Sequence, residues 1–234
     1  MSNKKKLLTE EECQKHKTFF ELAKSCESSE RYEDMFSYVE KMIEIKPKLT
    51  IEERNLFSVA NKNIYHSKKY LIYYPTPSNE IEKFLYEQKV FKKLQKHLMN
   101  TISILDEKLI PNVFEKDFEG QVFFWKLKAD CYRYICGLLS ESCTKGITDT
   151  CKSCYEEAFE ISKNLNFCNP IRLGLALNFG VFYYENMNEK EKAKDLAKST
   201  FDNGMTELYS LSEEDYKDSS MILQLLRDNL ELWQ

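Results

Sequence analysis

Glycine and proline are scarce: 6 and 5, together 11 of the 234 residues, where an average chain carries roughly 12% of the two combined. A β-sandwich or barrel of this length needs many turns built from those residues, so all-β architectures are disfavoured. Long apolar runs are lacking too, and the longest fall far short of a membrane span. After Lys4-Lys5-Lys6 only Leu7-Leu8 precedes Thr9 and a run of glutamates, too little for the apolar core of a signal peptide. An excess of positive charge is also missing, since 34 Lys+Arg face 38 Asp+Glu for a net charge of −4. General nucleic-acid binders are usually basic. Neither nucleic acid nor a membrane is therefore expected as a partner.

What is present points elsewhere. The 15 Phe, 14 Tyr and 2 Trp supply ample apolar surface to bury, which disordered chains lack. Eight cysteines stand at Cys13, Cys26, Cys131, Cys136, Cys143, Cys151, Cys154 and Cys168. In a long chain without an export signal they read as reduced thiols, so the expected location is the cytoplasm, with the nucleus as a second compartment.

Helix starts are written clearly. Thr9-x-x-Glu12 and Thr50-x-x-Glu53 fit the capping box, in which hydroxyl and carboxylate each satisfy an orphan backbone N–H. Ser212 precedes acids that favour a helix N-terminus. Asn169-Pro170 is an N-cap followed by proline at the first helical position. Ser28 or Ser29, Ser78, Thr148 and Asn188 are further cap candidates.

Apolar residues recur at spacings of three and four through Ile81, Phe84, Leu85, Phe91, Leu94, Leu98, Ile102, Leu105 and Leu109, and again through Met221, Ile222, Leu225, Leu226, Leu230 and Trp233. Such periods predict helices. Reading between punctuators predicts an all-α fold of about nine helices, over 9–26, 29–46, 50–73, 79–109, 117–140, 148–165, 170–186, 189–207 and 212–233. Short connections predict antiparallel neighbours. No linker rich in Pro, Gly or Ser divides the chain, so residues 1–234 are expected to form a single domain, with 1–8 as a flexible extension.

Few constellations carry chemistry. Cys151-x-x-Cys154, flanked by Cys143 and Cys168, has the ligand type for zinc, but the pair falls inside a predicted helix and reads better as ordinary small residues. Three scattered histidines have no recognisable partner, and neither a P-loop nor a nucleophile elbow is present. No catalytic residue, metal or cofactor is expected. The cations are more informative. Lys62 and Lys69 lie seven apart, two turns along one helical face, and Arg133-Tyr134 sits inside an aromatic helix. An inward-leaning arginine needs an anion. Spacing leaves two sources open: an external anion, or Asp130 three residues earlier.

Several segments carry a resemblance. They are Glu30 to Met35 (ERYEDM), Glu52 to Ala60 (EERNLFSVA), Asp130 to Tyr134, Asn169 to Glu185 (NPIRLGLALNFGVFYYE) and Leu211 to Trp233 (LSEEDYKDSSMILQLLRDNLELW). From about residue 17 to 233 the chain resembles the 14-3-3 proteins, eukaryotic adaptors that bind phosphoserine and phosphothreonine peptides. The resemblance implies nine antiparallel helices around a concave groove, with a basic phosphate pocket on one side and an apolar wall on the other. It implies phosphate-binding roles for Lys62, Lys69, Arg133 and Tyr134. Asn178 and Asn229 match amides that bond the peptide backbone. Lys126, Leu177, Val181, Glu185, Ile222, Leu225 and Trp233 match other groove positions. Phosphorylated client proteins are the implied partners.

The departures are specific. Lys69 stands where the family has arginine, so a point charge replaces a planar fork. This leaves an alternative reading, a scaffold of the same fold whose peptide binding is weakened or independent of phosphorylation. Pro75 and Pro77 are expected to end the third helix early. The family dimerises through this part and the first helices. Arg31, Asp34 and Lys89 match dimer contacts, but Lys93 replaces the glutamate that pairs with the cation at Arg31. A homodimer or heterodimer that is weakened or rearranged is therefore expected.

Overall fold

The computed structural model describes residues 8–73, 80–139 and 145–234. Among them the regular structure is helical: α1 (Glu10–Ser28), α2 (Tyr32–Ile45), α3 (Ile51–Tyr73), α4 (Glu80–Ile104), α5 (Phe118–Cys136), α6 (Lys145–Ser162), α7 (Pro170–Glu185), α8 (Lys190–Glu207) and α9 (Glu213–Leu232). The all-α class expected from periodicity is the class observed.

Both capping boxes form. Thr9 Oγ1 accepts from the Glu12 amide at 3.1 Å while Glu12 accepts from the Thr9 amide at 2.8 Å. Thr50 and Glu53 do the same at 3.3 and 2.7 Å. Asn169 Oδ1 caps α7 through the amides of Ile171 and Arg172, and Ser212 caps α9 through the Asp215 amide. Each such cap is worth about 1 kcal/mol.

Other caps differ from expectation. Helix α2 begins after Arg31 without a side-chain cap, because the Ser28 and Ser29 hydroxyls bond back to carbonyls of α1. The chain turns instead at Glu30, whose φ is 55°. Asn188 likewise supplies a left-handed turn, φ 53°, and Glu189 precedes α8. Thr148 lies inside α6, which starts three residues earlier than expected, and its hydroxyl sits 3.5 Å from Cys136 Sγ. Ser78, Pro75, Pro77 and Cys143 fall outside the described residues.

The stripe on α4 is buried only in part. Ile81, Phe84 and Leu85 are exposed, whereas Leu94, Leu98 and Ile102 are buried. Beyond Ile104 the helix widens into a π turn, Leu105–Leu109, that buries both leucines, and a 3-10 turn through Pro111 ends it. On α9 the buried face runs through Leu223, Leu226 and Trp233, while Met221 and Leu225 are exposed. The helix carries apolar residues around more of its circumference than one core face needs.

The chain's contacts fall into two compact units, Met1–Val113 and Phe114–Gln234. In the first, α2 packs on α1 and α3, and α3 packs on α4, around Met35, Phe36, Phe57, Leu94 and Leu98. In the second, α5 pairs with α6 and α7 with α8, and α7 also touches α5, α6 and α9. Two buried clusters flank α7. One gathers Tyr155, Leu175, Phe179 and Phe182; the other gathers Leu173, Leu223, Leu226 and Trp233. A helix that is apolar on most sides is a central one. The Trp233 ring lies against α7 at Gly180, where a Cβ would stand in van der Waals contact with it at 3.4 Å.

Candidate functional site

The second unit holds a buried ionic network. Helix α5 presents Lys126, Asp130 and Arg133 at spacings of four and three, on one face. Asp130 is 5% exposed. Its carboxylate accepts from Lys126 Nζ at 2.8 Å, from the Tyr155 hydroxyl of α6 at 2.5 Å and from Asn178 Nδ2 of α7 at 2.9 and 3.0 Å. Three helices are thereby tied to one carboxylate. Burial alone would raise the Asp130 pKa, but the charges of Lys126 and Arg133 and the bonds from Lys126 and Tyr155 outweigh it and hold it below the ordinary value. Burial, then the Asp130 charge, push the Tyr155 phenol well above its ordinary range. It stays a neutral donor.

Arg133 is held from one side. Its Nε donates to the Tyr155 hydroxyl at 3.2 Å, and Nη2 lies 3.7 Å from Asp130 Oδ1, close enough for attraction and too long for a hydrogen bond. The guanidinium is stacked 4.8 Å from the Tyr134 ring centroid. Burial disfavours its charge, yet Tyr155 and Asp130 raise its pKa further than burial lowers it. The Nη groups find no hydrogen-bond acceptor among the described residues. Of the two readings of Arg133, the one the structure describes is the internal pairing with Asp130. Asp130 fixes the ion, and the outer donors stay open for a second anion.

The other expected positions of the second unit lie on α7, on α9 and at its end. Asn178 spends its amide NH2 on Asp130, so its Oδ1 is left to accept. The Asn229 side chain on α9 makes no hydrogen bond among the described residues, which leaves its amide donor and acceptor. Leu177, Val181 and Ile222 are half-buried against the cluster shared by α7 and α9, and Leu225 is exposed beside them. Glu185 is exposed near the end of α7. Trp233 is mostly buried, stacked on Tyr184 at 4.8 Å, and acts on its surroundings through packing.

In the first unit, Lys62 is exposed on α3 and Lys69 lies over the Tyr65 ring at 5.7 Å. Arg31 pairs with Asp34 on its own helix at 2.5 Å. Lys89 is exposed on α4. The Cys151 and Cys154 thiols are buried and unbridged. Cys151 donates to the Ala129 carbonyl, and burial pushes its pKa up, so the free thiolate that nucleophilic chemistry needs is disfavoured.

Asp130 and Tyr155 were not among the expected site residues. The i, i+4 spacing of Lys126 and Asp130 could have flagged the first. Tyr155 lies 25 residues away on another helix, and only the folded chain connects it.

Residues 22–234 match the 14-3-3 protein family. The chain belongs to it. It is similar to the 14-3-3 protein beta/alpha of Xenopus tropicalis, 45% identical over 222 residues that make up 90% of each chain. It is also similar to the 14-3-3 protein eta of Homo sapiens, 42% identical over 223 residues, 90% of this chain and 91% of the relative. The family match runs through both compact units. With membership comes the phosphopeptide-binding adaptor role of 14-3-3 proteins, which act as adaptors rather than enzymes.

Proposed function

We propose that the chain binds phosphoserine or phosphothreonine segments of client proteins, with Arg133 and Tyr134 of the second unit receiving the phosphate. The supporting observation is the state of Arg133: Asp130 and Tyr155 hold it from one side, while its Nη donors have no hydrogen-bond acceptor among the described residues. A fixed fork with open donors suits a phosphate oxygen pair, and phosphorylation supplies the charge that makes binding conditional. Lys62 and Lys69 are assigned the same ligand through the family resemblance. Asn178 Oδ1 and the Asn229 amide bond the client backbone, and Leu177, Val181, Ile222 and Leu225 take its apolar side chains. Lys126, Glu185 and Trp233 complete the assignment, with no metal or cofactor.

On this reading the protein is a non-enzymatic, single-domain cytoplasmic adaptor, also present in the nucleus, that engages neither nucleic acid nor membrane. No helix among the described residues is long and apolar enough to cross a membrane. We further propose that it dimerises weakly or in a rearranged way. Arg31 and Asp34 already satisfy each other, so using either across an interface costs that pair. The exposed Ile81, Phe84 and Leu85 of α4 still offer apolar surface for association.

Fluorescence polarisation tests the phosphate assignment. A labelled Arg/Ser-rich peptide with phosphoserine should bind far more tightly than its unphosphorylated twin, and Arg133→Ala should erase most of the difference. Equal binding of the two peptides by the wild type rejects phosphate dependence. A preserved preference in a folded Arg133→Ala variant rejects the role of that residue.

A further inference from the structure

On the second unit, α6, α7 and α8 line an open cavity of about 350 Å³ that the phosphate assignment does not use. Its walls are apolar and mostly aromatic: Phe159, Phe179, Tyr183 and Leu196. The rings support one another, with Phe179 stacked on Tyr183 at 4.4 Å and met by Phe159 at 6.3 Å edge-on. Behind the floor, Phe179 stacks on Tyr155 at 5.1 Å, which anchors that wall in the core.

The rim carries charge of mainly one sign. Glu156 and Glu160 stand on α6 and Asp195 on α8, against the single cation Lys192. Among the described residues Glu156 pairs with the half-buried Lys152 and Glu160 with the exposed Lys163, and pairs this close to solvent are weak. Asp195 has no partner among the described residues. Lys192 is drawn off to Glu189 at 2.7 Å. Its Nζ stands 5.8 Å from the Tyr183 ring centroid, so one cavity ring already faces a cation. Burial, then the charges of Glu156 and Glu189, push the Tyr183 phenol up to about 12, which also reports a negative field at the wall.

An aromatic-walled slot with carboxylates at its mouth selects a side chain with an apolar stem or flat face and a cationic head. Arginine has both, and its planar guanidinium stacks on rings better than an ammonium does. We propose that this cavity is a second docking site, for an arginine-bearing segment of a partner protein that need not be phosphorylated. The guanidinium lies against Tyr183 and Phe159, its stem against Leu196, and its donors reach Asp195 and Glu160. A client could then be held at two places, one conditional on phosphate and one not.

The test uses the full chain and a fluorescent peptide carrying two arginines among alanines, with a twin in which neutral citrulline replaces arginine. Polarisation at 150 mM salt (about an 8 Å screening length) suppresses diffuse attraction to an acidic protein. The arginine peptide should bind at least fivefold more tightly than the citrulline peptide. Asp195→Asn and Glu160→Gln, both exposed positions, should each weaken it at least threefold. Asp218→Asn on α9 should leave it unchanged, and a phosphoserine peptide without arginine should bind every variant like the wild type. Equal binding of arginine and citrulline peptides overturns the proposal. So does an equal loss in Asp218→Asn, which means non-specific attraction, or displacement of the arginine peptide by a phosphoserine peptide that contains no arginine, which means a shared site.

Discussion

Replacing Asp130 with asparagine removes one negative charge from among three hydrogen-bond donors and the nearby Arg133 guanidinium, and changes almost no volume. Lys126, Arg133, Tyr155 and Asn178 would all face a neutral amide whose NH2 can accept nothing. Removing one partner of a buried ion pair costs about 3–5 kcal/mol. Side chains of Lys126 and Arg133 retain 24% and 17% exposure, so both regain some hydration, and the lower end, about 3 kcal/mol, is expected. The chain's two tryptophans, Trp125 and Trp233, both lie in the second unit, so their fluorescence reports the unfolding of the unit that holds Asp130. With a urea m-value of roughly 2 kcal/mol/M, the midpoint should fall by about 1.5 M at pH 7. The folded-state pKa is depressed, so the carboxylate's contribution is fully present above its unfolded value of about 3.9 and is lost as pH falls through the folded value. The gap between wild type and Asp130→Asn should therefore be constant from pH 7 to pH 5 and close below pH 4. Tyr155→Phe alone should cost about 1–3 kcal/mol, and the double variant less than the sum, because the two share one network. Equal stability of wild type and Asp130→Asn at pH 7 would refute the reasoning, as would a gap that widens in acid.

Other outcomes follow from the same geometry. Thr50→Val should cost about 1 kcal/mol and speed hydrogen exchange at the Glu53 amide about fivefold, with the amides of α7 unaffected. Burial, then the charge of Lys68, lowers the His97 pKa to about 4; its imidazole should stay neutral above pH 5, visible as a flat Cε1 proton shift in NMR. That depressed value stabilises the fold above the ordinary histidine value near 6.5, and the contribution is lost as pH falls from there toward 4. Cys13→Ser should remove one fast equivalent from a thiol titration at pH 8, because Cys13 is exposed, whereas Cys151→Ser should remove none until the chain is unfolded.

Local chemistry explains what was legible. Capping boxes are complete within four residues, so Thr9, Thr50, Asn169 and Ser212 announce their helices without help from the fold. Ser28, Ser29 and Asn188 carry the same residue types yet fail as caps, because a hydroxyl can return to its own helix and an asparagine can supply a left-handed turn. Burial within a stripe is not local either: Leu85 and Leu94 share a pattern but not an environment. At the site, the motif around Arg133 could be read directly, whereas the fixing of that arginine by Tyr155 depends on α6 returning alongside α5. Asn178 shows the same limit. Its amide can be counted in the sequence, but which half is spent internally depends on Asp130.

The buried carboxylate also changes the ionic cost of an empty site. Lys126 and Arg133 would otherwise gather dissolved anions, and a ligand would have to displace them. Asp130 serves as a permanent internal counterion, leaving the trio with one net positive charge. On the proposed assignment of phosphate to Arg133, an arriving dianion would therefore release fewer bound ions than the number of cations it meets. Added salt should weaken its binding at this cluster less steeply than a count of the two cations suggests.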